Sequence, residues 1–88
     1  MGRVNITESA IKKSTEETYD KIIYRLNQKG WHALSSTHEI LGVVAEEYQE
    51  LIEAIKEGDK EKIKQELLDI SVACNFGMAC IDSKTLDW

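Results

Sequence analysis

Two long segments with helical apolar periodicity, residues 36–57 and 60 to about 81, are separated by nothing more than Gly58 and Asp59. That spacing constrains the fold more than any other feature. Glycine is the residue that ends a helix in a left-handed turn, and aspartate is a good N-cap for the next one. With two residues to reverse direction, the second and third helices are predicted to be antiparallel neighbours. The second opens on Ser36-Thr37-His38-Glu39, which has the spacing of a capping box. An earlier helix is predicted to start after Thr7, another N-cap, and to run to about Lys29, with Gly30 as its stop. Residues 31–35 form a loop, and the tail from residue 82 is too short for another substantial helix. The fold class is all-α: an antiparallel helical hairpin plus an N-terminal helix, in one domain spanning residues 1–88.

The third helix changes character along its length. Up to Asp69 it is amphipathic, with Ile63, Leu67 and Ile70 on one side; beyond it lie Val72, Ala73, Cys74, Phe76, Met78, Ala79, Cys80 and Ile81. A helix apolar on every side is normally buried on every side. A chain of 88 residues buries only about 60% of the surface its unfolded form exposes. Three helices cannot surround the third, so a second chain is expected: an oligomeric helical bundle, homodimer or homotetramer. Trp88 is expected anywhere between a free tail and a lid over that partner.

The 11 Lys plus Arg against 16 Asp plus Glu give a net charge of −5. This argues against a nucleic-acid polymer as partner, because phosphate backbones need clustered positive charge. No stretch approaches the roughly 20 apolar residues of a membrane span, and no signal-type apolar run follows Arg3. A cytoplasmic setting is expected. Cys74 and Cys80 would stand roughly 9 Å apart along one helix and point in different directions, so they cannot pair with each other. Both are expected to be buried, reduced thiols.

The second helix places Ile40, Val44 and Leu51 in a narrow arc at about 100° per residue, and Glu47 falls inside that arc. Glu50 lies on its edge; Glu46, Gln49, Glu53 and Glu57 point towards the opposite side. A lone buried carboxylate is costly unless it is paired or bound to a metal. On the third helix Glu66 flanks the apolar stripe and Asp69 follows one turn on. Glu50 and Glu66 each stand eight residues from Gly58, and Glu47 and Asp69 each eleven. Equal distances from a tight reversal set residues at equal heights, so four carboxylates are predicted to meet. Such a group repels itself unless a cation joins it. No Lys or Arg is expected between them to serve instead. An all-oxygen donor set suits magnesium, manganese or calcium, and no calcium-loop spacing is present. Mg2+, with Mn2+ as a substitute, is the expected ion.

The run Glu46-Glu47-Tyr48-Gln49-Glu50, followed after fifteen residues by Glu66-Leu67-Leu68-Asp69, resembles the EExxE…ExxD signature of MazG-like nucleotide pyrophosphohydrolases. These belong to the all-α nucleoside triphosphate pyrophosphatase superfamily. The resemblance covers roughly residues 36–81. It implies a magnesium-dependent hydrolase that cleaves the α–β phosphoanhydride of a nucleoside triphosphate and releases monophosphate and pyrophosphate. It also implies Glu47, Glu50, Glu66 and Asp69 as metal ligands, with Glu47 or Glu50 as general base and Glu46 in a supporting role. The chain departs from larger relatives in stopping soon after Ile81, where a fourth helix often closes the pocket. Their asparagine and basic residues after the ExxD turn have no clear match, Asn75 being the nearest. Alternatives in the same frame are a phosphoribosyl-ATP pyrophosphohydrolase-like enzyme and a catalytically weak, metal-stabilised helical interaction module.

Trp31, His32 and His38 surround the entrance to the second helix, where the resemblance implies a base pocket and an aromatic ring can stack on a nucleobase. Trp31 packing over the hairpin, with His38 an ordinary first-turn residue, is the plainer reading. Lys56, with Lys60, Lys62 and Lys64, stands near the reversal and is a candidate for a triphosphate contact; a solvated face paired with nearby Glu is the plainer reading. Trp31, His38 and Lys56 are carried forward as substrate-binding candidates.

Overall fold

The computed structural model describes residues 2–87, leaving Met1 and Trp88 outside the description. Three helices account for the secondary structure: α1 (Glu8–Lys29), α2 (Thr37–Glu57) and α3 (Lys60–Asp82). There are no strands among the described residues. Each start has a side-chain acceptor for the orphan amides of the first turn. The Thr7 hydroxyl accepts from the Ala10 N–H at 3.1 Å, the Ser36 hydroxyl from Glu39 at 3.2 Å, and Asp59 Oδ1 from Glu61 and Lys62 at 3.0 and 3.3 Å. The expected capping box is half made. The Glu39 carboxylate reaches past the cap residue and accepts from the N–H of Ser35 at 2.8 Å and from its hydroxyl.

Gly58 ends α2 at φ 74° and ψ 17°, donating to the carbonyls of Ala54 and Ile55. That left-handed conformation costs an L-residue roughly 1–2 kcal/mol, so the two-residue link to α3 depends on glycine. Gly77 has a different reason. A Cβ there would come within 3.1 Å of Ile40 Cγ2, so its absence lets α2 seat closely on α3.

Helix α3 is the middle element, packed by α2 on one side and α1 on another, while the backbones of α1 and α2 stay apart. The gap between them is a cleft floored by α3. Ala54, Val72, Ala73 and Cys80 are the buried apolar residues, and no large side chain is fully enclosed among the described residues. The expectation that the second half of α3 is covered all round therefore fails within one chain. Cys74, Met78, Ala79 and Ile81 are exposed, because two helices cover only part of a third. Cys74 is an exposed thiol rather than a buried one; Cys80 is buried, and neither is in a disulfide.

Beyond α3 the described residues form no helix. They run back to the α1–α2 loop, where Asp87 donates its N–H to the Ser35 carbonyl at 2.6 Å. No described helix is long and apolar enough to cross a membrane.

Candidate metal centre and adjoining cleft

Glu47 and Glu50 leave α2 on consecutive turns, and Glu66 and Asp69 leave α3 in the same way. The structure brings the four together: one carboxylate oxygen from each lies within 4.8 Å of all the others. Glu47, Glu66 and Asp69 are half-buried and Glu50 is exposed. Glu46, next to them in sequence, is exposed.

The electrostatics are those of an acidic group compensated only in part. Glu47 is pushed up to about 7, by burial first and then by the charges of Asp69, Glu50 and Glu66. Glu66 is also raised, by burial first, then by the adjoining Glu50 carboxylate and the charge of Asp69, with Lys21 pulling the other way. One oxygen of each, Glu47 Oε2 and Glu66 Oε2, is buried without a hydrogen-bond partner. Such orphaned oxygens normally cost free energy. Two such oxygens in an all-oxygen, anionic donor set fit a hard divalent ion such as magnesium, which would take carboxylate ligands.

One expectation is corrected here. Basic residues do reach the cluster, from α1. Lys21 Nζ lies 2.5 Å and Arg25 Nη2 3.2 Å from Asp69 Oδ1. They come from 48 and 44 residues away in sequence, so the angular positions of α2 and α3 carry no sign of them. Their one sequence trace is the four-residue spacing of two cations on a single α1 face. One turn before Lys21, Glu17 stands 3.9 Å from Lys64 of α3.

Beside the cluster is the α1–α2 gap, a cleft of about 210 Å³. Its walls include Ile22 and Arg25 on one side and Val43 and Glu47 on the other, with Asp69 and Phe76 in the floor and His32 near one end. A smaller depression, of about 110 Å³, is bordered by Glu50, Glu66 and Lys62. Trp31 lines a separate apolar cleft with Tyr19 and Phe76, and its indole N–H donates to Asn27 Oδ1 at 3.0 Å. His38 and Lys56 are exposed on α2 and are not lining residues of either depression that the carboxylates border.

The family model of the MazG nucleotide pyrophosphohydrolase domain matches residues 35–80, just over half of the 88 residues. The chain belongs to that family. The match spans α2 and most of α3, and with them all four clustered carboxylates. Helix α1 lies outside the matched residues, so the roles of Lys21 and Arg25 in this MazG-family chain rest on their geometry alone. No curated protein and no solved structure matched the chain.

Proposed function

We propose that the chain is a magnesium-dependent nucleoside triphosphate pyrophosphohydrolase that releases nucleoside monophosphate and pyrophosphate. The single observation behind this reading is the convergence of four carboxylates to within 4.8 Å in a MazG-family chain. Glu47, Glu50, Glu66 and Asp69 would hold the ion, manganese serving in magnesium's place. Bound there, the metal supplies neutralisation of phosphate oxygens and a water of lowered pKa. Glu47 borders the cleft and Glu50 the smaller depression; either would accept the proton of an attacking water. The cleft would take the nucleoside, with Val43, Val72, Ala73 and Phe76 offering an apolar surface to the base and the phosphates lying towards the carboxylates. Trp31, His38 and Lys56 remain proposed substrate contacts that would need the substrate to extend beyond this cleft.

The same reading takes α2 and α3 as an antiparallel hairpin, residues 1–88 as one domain in the cytoplasm, and the active form as a homodimer or homotetramer. Support for a second copy comes from two exposed apolar stripes at heptad spacing. Leu41, Tyr48 and Ile55 mark one on α2, and Leu67, Cys74, Met78 and Ile81 mark the other on α3. A seam at 3.5-residue period is what a partner helix covers. Light scattering coupled to size exclusion is expected to give a multiple of the 10.0 kDa chain, reduced to the chain mass by Met78→Glu. An unmodified protein already at chain mass ends that part of the proposal.

Turnover is tested with a panel of nucleoside triphosphates and magnesium, reading phosphate after addition of a pyrophosphatase. Activity on at least one nucleotide, lowered at least about a hundredfold by Glu47→Gln, is the expected result. The competing reading has an observation of its own, since Lys21 and Arg25 already neutralise part of the cluster. It makes the protein a helical interaction module without catalysis. Magnesium uptake with no turnover on any nucleotide decides for the module.

A further inference from the structure

The ion pairs that α1 makes with the acidic cluster suggest more than an anchor for that helix. Both cations meet the same acceptor, Asp69 Oδ1, at 2.5 and 3.2 Å, and Asp69 is one of the four carboxylates. With all four carboxylates ionised, as a bound metal would require, the two cations leave two negative charges over, the charge that one divalent ion would balance. The side chains that supply the positive charge are not locked in. Lys21 is 25% exposed and Arg25 38%, against 15% for Asp69. Arg25 also lines the cleft in which the reading above seats the nucleotide, and Lys29 of the same helix lines it too. A guanidinium fork suits paired phosphate oxygens, and a lysine ammonium on its flexible stem can turn from one anion to another.

We propose that Lys21 and Arg25 are exchangeable counter-ions of the cluster, holding Asp69 and weakening metal binding until the ion arrives, then turning to the phosphate chain of the substrate. This rests on the reading of the cluster as a metal centre. Helix α1 thereby makes metal loading and phosphate capture dependent on each other. Lys21, which makes the shorter contact, has the larger part. Arg25, at the cleft wall, follows it.

The test uses the full chain with two probes that require no turnover: Mn2+ alone, followed by electron paramagnetic resonance of the free ion, and inorganic pyrophosphate binding to the magnesium-loaded protein by calorimetry. Lys21→Met is expected to tighten Mn2+ roughly five- to tenfold and to weaken pyrophosphate by a similar factor, in keeping with ordinary coupling between sites. Lys21→Arg, which keeps the charge, is expected to hold both affinities close to those of the wild type. Arg25→Met moves both in the directions of Lys21→Met by a smaller factor, and it carries the test if Lys21→Met does not fold by circular dichroism. If the charge-removing variants weaken Mn2+, or leave pyrophosphate affinity unchanged, the two residues only anchor α1 and the proposal is overturned. A wild-type protein that takes up no Mn2+ at millimolar concentration overturns the metal centre and this proposal together. Uptake by the wild type without a response in the variants overturns this proposal alone.

Discussion

Helix α3 faces its two neighbours with opposite electrostatic logic. Towards α2 it presents Glu66 and Asp69 to Glu47 and Glu50, so like charges meet within 4.8 Å. Towards α1 opposite charges meet: Asp69 faces Lys21 and Arg25, and Lys64 faces Glu17. A contact selected for stability alone resembles the second. The first raises the energy of the metal-free protein, a cost that the proposed cation would remove. Asp69 belongs to both contacts, so a change at either one reaches the other.

The comparison can be broken most strongly at Lys21. In metal-free protein, Lys21→Met removes the closest counter-charge and leaves Asp69 half-buried beside three carboxylates. A loss of about 2 kcal/mol in chemical denaturation is expected, with the amides of α1 exchanging faster than those of α2. Glu47→Gln acts on the other contact and has the opposite sign. It relieves repulsion and is expected to raise metal-free stability by about 1 kcal/mol while abolishing magnesium uptake. A loss of stability in that variant would mean that the carboxylates are not in conflict.

A pH series sharpens the same contrast. Glu47 rises to about 7 and Glu66 rises too. Groups raised above their unfolded values stabilise fully below the unfolded carboxylate range, and that stability is lost as pH rises through the folded value. The metal-free melting temperature is therefore expected to fall between about pH 5 and pH 8, and saturating magnesium is expected to flatten the slope. A metal-free profile that rises over this range contradicts the repulsion. The smallest effect is expected at the other charged contact of the α2–α3 turn. Lys62 and Glu57 pair at 2.8 Å with side chains 60% and 54% exposed, and solvent screens such pairs. Lys62→Met should leave the melting temperature unchanged, and a clear drop would show that the turn contributes more than its caps.

The helices and the acidic cluster were legible in the sequence for the same reason. Caps at Thr7, Ser36 and Asp59 and stops at Gly30 and Gly58 act through neighbours one turn away, so local pattern carries them. Glu47, Glu50, Glu66 and Asp69 are brought together by equal counts from Gly58, because a two-residue link leaves little freedom between the arms. The chain alone thus determined three helices and the meeting of four acids. Only the tertiary structure decided which other groups attend that meeting. The 31–35 loop gives α1 no fixed register against α3, so the arrival of Lys21 and Arg25 at Asp69 depends on packing between surfaces far apart in sequence. The same packing decided that Cys74 stays exposed and that α1 and α2 stand apart, because burial is set by what lies across from a residue, and helical periodicity records only the side on which it lies.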